Sequence, residues 1–428
     1  MDLKKTFLEK LNTPKAEAHL SRLYGEDEET LRVQKARYVG MLQAHADAFG
    51  SPASALFSAP GRTEIGGNHT DHNRGRVLAA SVNLDTLCAA SPRTDLTVRF
   101  HSEGYAPVQV DLKDTAPRPE EKETTAALIR GVADGMKRAG RRIGGFDACV
   151  TSTVASGSGL SSSAALEVML TAVFDGLFND FGMPFAERAQ IGRRAENLYF
   201  GKPSGLLDQM ASAAGGLVTV DFSDEQHPQV EALQYDFAKK GYALVVVGTG
   251  GSHADLTAHY AAIPQEMKQI AGAFGKEVLR GVTETELMAR AGELRKRFSD
   301  RAVLRAFHFV AENDRVPQEV AALKEDRLAE FLKLIIDSGR SSYMYLQNIY
   351  AFPEDQSLSL ALCMAESLLK GRGAWRIHGG GFAGTTLNFV PVDLIGEFVR
   401  VMESAFGAGA CHVLNIRPCG ADQFRLIP

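Results

Sequence analysis

One ten-residue stretch constrains this chain more than any other: from Gly157 to Leu166 it reads Gly-Ser-Gly-Leu-Ser-Ser-Ser-Ala-Ala-Leu, glycines and small hydroxyl residues leading straight into an apolar helix. Glycine admits backbone conformations closed to residues with a Cβ, so successive N–H groups can converge on one anion, and the helix behind adds the positive end of its dipole. Leu160, Ala164, Ala165, Val168, Met169, Ala172, Val173 and Leu177 recur at helical spacing and line one face, which anchors that helix in a core. The stretch reads as a phosphate cradle, and nucleotide phosphate is the first ligand it points to. It fits neither common phosphate motif. No Lys follows the second Gly as in a Walker A loop, and no acidic residue lies about 20 positions on in a clear βαβ unit. Taken alone, it also fits a serine-rich helix cap in an ordinary core.

A helix of this kind needs a sizeable core to sit in, and 428 residues exceed what one core usually supports. Two domains are therefore expected, residues 1–225 and 226–428. Apolar residues at 45% and charged residues at 23% are those of a globular protein. The net charge of −5 argues against a nucleic-acid partner, and the basic clusters at 137–142 and 295–297 are short enough to be solvated helix faces. No apolar h-region follows the N-terminal Met-Asp-Leu-Lys-Lys, and the most apolar helix carries Glu167 and Asp175, so no membrane segment is expected. Five cysteines without close pairs suit a reducing compartment, the cytoplasm. Nothing in the chain fixes an oligomeric state, and a monomer is compatible with every one of these features.

Along the chain, residues 1–50 carry helical periodicity and many charges and predict a helical extension. Short β-rich runs occupy 57–113 and 146–155. The phosphate-loop helix comes next, then helices near 185–199 and from about 205, and a strand at 217–220. Beyond 225 a strand at 242–247 precedes long helical stretches from about 260 to 370, and strand-like runs at 385–391 and 410–416 close the chain. Strands and helices mix without strict βαβ alternation, which predicts an α+β fold.

Two further segments carry chemistry. Residues 59–72 read Ala-Pro-Gly-Arg-Thr-Glu-Ile-Gly-Gly-Asn-His-Thr-Asp-His, a density of amide, imidazole and carboxylate groups suited to vicinal hydroxyls, hence to a sugar or polyol. A solvent-exposed turn with a hairpin signal at Asn73-Arg74-Gly75 is the plain alternative. Residues 378–386, His-Gly-Gly-Gly-Phe-Ala-Gly-Thr-Thr, permit either close backbone approach to a ligand or a tight bend between packed layers.

In order and type these three segments resemble the signature motifs of the GHMP small-molecule kinases, and the first narrows the likeness to the galactokinase family. That family's opening signature runs Gly-Arg-x-Asn-x-Ile-Gly-Glu-His-x-Asp-Tyr, with which Gly61, Arg62, Gly67, His69 and Asp71 fall in register. The resemblance spans residues of about 55 to 390. It implies a two-domain GHMP architecture, a ribosomal S5 domain 2-like N-terminal domain with a ferredoxin-like C-terminal one. The implied activity is ATP- and Mg²⁺-dependent phosphorylation of the anomeric hydroxyl of α-D-galactose.

Residue by residue, the resemblance makes Asp208, in Gly205-Leu-Leu-Asp-Gln209, the catalytic carboxylate and Arg62 the catalytic arginine. Leu206, Leu207 and Met210 surround Asp208 in sequence, so burial is expected to raise its pKa. Ser163 and Glu196 are implied as magnesium ligands. Gly157, Ser158, Gly159, Leu160, Ser161, Ser162 and Ser163 would wrap the phosphates, with Ser102 near the adenine. Asn68, His69, Asp71, Gly205 and Tyr260 would hold the sugar. Glu196 falls in the last turn of a helix ending near Gly201, where the dipole disfavours a carboxylate by about 0.3–1 kcal/mol, a penalty that a bound cation offsets.

The chain departs from the family at three places in the first motif: the sugar-binding Glu becomes Asn68, the Asn two residues past the arginine becomes Glu64, and the final Tyr becomes His72. Loss of a charge at position 68 would no longer repel a C6 carboxylate, so galacturonate is a rival to galactose, with N-acetylgalactosamine a related alternative. A sugar-sensing regulator without turnover is the alternative from another class. The intact phosphate run and the retained Arg62, Glu196 and Asp208 argue against it.

Overall fold

The computed structural model describes residues 3–154, 159–202, 204–250, 256–382 and 384–426. The twelve strands among these are β1 (Ala55–Gly66), β2 (Arg76–Pro92), β3 (Thr97–Ser102), β4 (Val108–Asp111), β5 (Phe146–Ser152), β6 (Leu217–Asp221), β7 (Gln229–Leu233), β8 (Tyr242–Gly248), β9 (Ala374–His378), β10 (Thr385–Pro391), β11 (Cys411–Leu414) and β12 (Asp422–Arg425). Thirteen α-helices among the described residues join them. Three precede the first strand: α1 (Leu3–Leu11), α2 (Pro14–Tyr24) and α3 (Glu28–Phe49). Four belong to the first half: α4 (Thr125–Arg138), α5 (Ser162–Phe178), α6 (Phe185–Ala195) and α7 (Leu207–Ala214). The rest are α8 (Thr257–Ala273), α9 (Glu284–Arg297), α10 (Asp300–Lys324), α11 (Leu328–Ser341), α12 (Ser357–Leu369) and α13 (Ile395–Phe406).

Period-two alternation along β1 explains the layering of the first half. Phe57 and Ala59 turn toward a core built with α4 to α7. Leu56 turns the other way, to a core with Leu20, Leu23, Tyr38 and Leu42 of the leading helices. The expected helical extension is therefore the second cover of an eight-stranded, mostly antiparallel sheet of order β12-β1-β2-β5-β3-β4, with β6 and β7 continuing from β2.

The second sheet is antiparallel, in the order β11-β8-β10-β9. Numbered within the second half this is 4-1-3-2, the ferredoxin-like arrangement. Leu244 and Val246 of β8 face the first half together with Ile65, Leu78 and Ala80, while Val245 and Val247 face α12 and α13. The sheets do not divide the chain at 225. Strand β7 pairs with β6, and the tail strand β12 returns to β1, giving that edge a partner.

Candidate active site

Arg62 lies on β1, whose register with β2 shifts between Pro60 and Arg62. Its guanidinium grips Asp208 in a two-pronged pair, Nε to Oδ1 at 2.7 Å and Nη2 to Oδ2 at 2.8 Å. The third nitrogen, Nη1, donates to the Gly159 carbonyl at 2.5 Å. Asp208 sits in the first turn of α7, where the helix dipole favours a negative charge. Its side chain keeps 31% of its surface, against 8% for Arg62. The expected rise in its pKa is not what this setting produces. Burial pushes it up, but the Arg62 charge and the hydrogen bonds from Arg62 and Ser161 win, and the carboxyl is held below its ordinary value.

The phosphate loop meets that pair directly. Gly159 has φ +72° and Ser161 φ +59°, two left-handed residues separated by Leu160. For serine this conformation is strained by about 1–3 kcal/mol and persists only where the surroundings fix it. They do so here: the Ser161 hydroxyl donates to Asp208 Oδ2, the Leu160 carbonyl accepts from Arg62 N at 3.0 Å, and a Cβ on Gly159 would strike Thr385. Ser162 and Ser163 open α5 and are half-buried. Gly157 and Ser158 lie outside the described residues. Ser161 thus ties the loop to the Asp208 carboxylate, a role that its place in the motif did not announce.

The third glycine cluster closes over the first. Neutral His378, whose pKa burial pushes well down, accepts the Glu64 N–H on Nε2 at 3.2 Å and faces Thr385 Oγ1 through Nδ1 at 3.0 Å. The Gly380 carbonyl lies 3.2 Å from His69 Nε2, and the Gly381 carbonyl accepts from the Tyr260 hydroxyl at 3.1 Å. The Tyr260 ring also stands edge-on to Phe382 at 5.1 Å. Gly205 has no side chain because the Asp71 carboxylate occupies the place a Cβ would take. His69, Asp71, Gly205 and Tyr260 are thus drawn together around these loops, with burial holding His69 neutral, its pKa down at about 4.

Asn68 is placed differently from the expectation. Its residue is 0% exposed, Nδ2 donates to Glu64 Oε1 at 2.8 Å and to the Gly379 carbonyl at 2.7 Å, and Oδ1 accepts from Ser342 and Asn348. With both amide protons and the carbonyl engaged, it is a strut of the loop rather than a group open to a sugar. Glu64, two residues past Arg62, takes Arg376 Nη2 at 2.9 Å on the same oxygen that holds Asn68. Burial raises Glu64 to a pKa of about 7 against the pull of Arg376. Behind the loop, Glu312 Oε1 accepts from the Gly67 and Asn68 amides at 3.0 and 3.2 Å.

Glu196 opens a π-helical turn, Glu196–Phe200, that prolongs α6 to its left-handed cap at Gly201. Such turns recur at functional sites. The carboxylate is 2% exposed, with the Lys202 ammonium 3.0 Å from Oε1 and Gln209 Nε2 3.0 Å from Oε2. The Lys202 ammonium thus already rests on this carboxylate, whose oxygens are hard donors of the kind Mg²⁺ takes. Among the described residues no three His, Cys, Asp or Glu side chains group into a metal cage.

Ser102 ends β3 beside Val150 of β5, and its carbonyl accepts from the Tyr105 N–H; neither contact joins it to the Arg62–Asp208 pair or to the phosphate loop. Sequence reasoning missed Lys202, His378, Arg376, Glu167 and Gln209. His378 and Gln209 stood inside motifs already singled out. Buried Glu167 was visible only as an acid within an apolar helix.

Known proteins resemble this chain in sequence and in fold. Residues 43–92 match the galactokinase galactose-binding signature, and residues 127–216 match the GHMP kinase N-terminal domain. The chain is 32% identical to the galactokinase of Streptomyces coelicolor over 367 residues, 85% of this chain and 91% of the relative. The crystal structure of Lactococcus lactis galactokinase complexed with galactose superposes with a TM-score of 0.78 at 25% identity, covering 91% of this chain and 99% of that one. The mevalonate kinase of Methanococcus jannaschii shares the fold, with a TM-score of 0.60 at 12% identity over 84% of this chain and 98% of that one.

Proposed function

This chain belongs to the galactokinase family, and from that premise we propose that it transfers the γ-phosphoryl group of ATP to the anomeric hydroxyl of α-D-galactose, giving galactose 1-phosphate and ADP. The observation that carries the reading is the Arg62–Asp208 pair with the phosphate-loop Ser161 on the same carboxylate.

Phosphoryl transfer depends chiefly on positioning and electrostatics. Asp208, ionised at neutral pH, accepts the hydrogen bond of the attacking hydroxyl and takes up its proton as the new P–O bond forms. Arg62 fixes that carboxylate and offsets charge that builds on the phosphoryl oxygens. Gly159 to Ser163 and the start of α5 receive the phosphates. Ser163 and Glu196 would hold Mg²⁺, which neutralises phosphate charge when bound; Lys202 must leave Glu196 Oε1 for that, and its side chain, 58% exposed, is free to swing outward. His69, Asp71, Gly205 and Tyr260 surround the sugar. Five cysteines without disulfides support a reducing, cytoplasmic setting.

Galacturonate loses its argument. Asn68 is buried with both amide protons and its carbonyl engaged, so it offers no free group to a C6 substituent, whether hydroxyl or carboxylate. An intact Ser161–Asp208–Arg62 linkage likewise speaks for turnover rather than sensing. The test is ADP release with ATP and Mg²⁺ in the presence of D-galactose, D-galacturonate, N-acetylgalactosamine or D-glucose. Galactose is expected to give the highest kcat/KM. A higher value with galacturonate would overturn the specificity, and no sugar-dependent ADP at all would overturn the activity.

A further inference from the structure

Outside the residues already assigned, one buried polar cluster joins three helices that each carry part of the site. Gln209, next in the chain to Asp208, is 0% exposed. Its Nε2 donates to Glu167 Oε2 at 2.9 Å and to Glu196 Oε2 at 3.0 Å. Glu167, also 0% exposed, lies four residues after Ser163, one turn along the same face of α5. Gly192 of α6 leaves the space: a Cβ there would stand 3.2 Å from Glu167 Cβ and 3.4 Å from Gln209 Cγ.

We propose that Glu167 and Gln209 are a positioning pair, which locks the Glu196 carboxylate to the phosphate helix and to the helix of Asp208 so that Ser163, Glu196 and Asp208 hold one geometry. This rests on the kinase reading of the site. An amide has two N–H bonds, and here each meets one carboxylate oxygen. The orientation is forced, because Glu196 already pairs with the Lys202 ammonium and a reversed amide would set its carbonyl against that carboxylate.

The cluster is a poor device for stability alone. Glu167 Oε1 and Gln209 Oε1 are buried without a partner, and an unmet buried polar atom costs about 1–3 kcal/mol. Apolar side chains of similar volume would pack the same space without that penalty. What they would not do is aim Glu196, and outer groups that orient a metal ligand are worth about 10–100-fold in metal affinity or activity.

The experiment compares full-length Glu167→Met, Gln209→Met and Glu167→Gln with the natural chain. Calorimetry measures ATP binding across a Mg²⁺ titration without sugar, and assays give kcat and the galactose KM. Both methionine variants should need about ten-fold more Mg²⁺ for half-maximal ATP binding, with galactose KM changed by less than about two-fold. Glu167→Gln keeps an acceptor for the Gln209 amide and should recover most of the metal affinity. An unchanged Mg²⁺ requirement in the methionine variants would overturn the proposal. So would a Glu167→Gln variant as impaired as Glu167→Met, or a galactose KM that rises in step with the metal requirement. If Glu167→Met does not fold, Gln209→Met and Glu167→Gln decide between these outcomes by the same criteria. A natural chain that binds Mg·ATP but phosphorylates no sugar would break the functional reading and leave this one standing on the calorimetry.

Discussion

Two aspartates in this molecule are built from the same parts and do opposite things. Asp208 is held by the Arg62 guanidinium and the Ser161 hydroxyl. Asp85, on β2, is held by Arg37 at 2.5 Å, Arg417 at 3.3 Å, the Ser58 hydroxyl and the Tyr24 hydroxyl at 2.5 Å. Burial pushes both pKa values up, and in both the arginines and hydroxyls more than reverse it. The difference is access: the Asp85 side chain is 0% exposed, whereas Asp208 keeps 31% of its surface. A carboxylate enclosed on every side is a strut. Here it fastens α2, α3 and the C-terminal tail to the middle of β2, where the Asp85 backbone itself hydrogen-bonds Thr153 shortly before the phosphate loop. A carboxylate with the same partners and one open side can still receive a substrate proton.

Exchanging each for its amide should separate these roles most sharply. Asp208→Asn is expected to lower kcat by about 10²–10⁴-fold, with a stability loss smaller than that of Asp85→Asn because water can reach the open side of the pair. Asp85→Asn leaves the buried Arg417 and the partly buried Arg37 undercompensated and should cost about 3–5 kcal/mol of stability, while each folded molecule turns over normally. Denaturant melts and single-time-point assays on the same samples read both, and a stability loss in Asp208→Asn as large as that in Asp85→Asn would erase the distinction.

The two serines give a smaller version of the same contrast. Ser58→Ala removes a bond to a buried charge and should cost about 1.5–3 kcal/mol. Ser161→Ala should cost less stability, because the cleft side of Asp208 can be rehydrated, and show instead as roughly a ten-fold fall in kcat. Equal stability losses would mean that Asp208 is as closed as Asp85.

A third buried carboxyl sharpens the comparison by having no partners. Glu319 is 0% exposed with both oxygens unpaired, against Gly66, where any side chain would collide with it. Burial, with the Glu312 charge, raises its pKa to about 8. The folded state therefore keeps a proton that the unfolded chain releases near its ordinary value of 4.5, so stability falls as pH rises between the two. Glu319→Gln should flatten that decline, whose upper bound is about 1.4 kcal/mol per pH unit. Thermal midpoints at pH 5 and pH 8 measure it, and an undiminished slope in the variant would show that Glu319 is ionised in the fold.

Much of the site was legible because its parts lie in short runs. Gly61 to Asp71, Gly157 to Ser163 and Gly205 to Gln209 each place glycine beside a polar group, and local spacing is enough to see a backbone made to approach a ligand. The α5 helix was visible by its apolar period, and β8 and β10 by their β-branched runs. The strands β9 and β12 were not anticipated. Each is short, and in each the evidence for a strand lies in its partner, β10 and β1 respectively. Asn68 was read as a sugar contact because its position in the motif says nothing of Ser342 and Asn348, some 275 residues away along the chain.

By itself, then, the sequence determined the family and the candidate parts: a glycine-rich loop leading into a helix, an arginine and an aspartate in family motifs, and a mixed fold large enough to hold them. Only the tertiary structure decided which groups are free to use that chemistry. Ionisation and access depend on what is packed around a side chain, and those neighbours come from strands and helices that the chain order keeps far apart. That is why Asp208 is an open, ionised carboxylate, Asp85 a closed one, and Asn68 a buried strut of its loop.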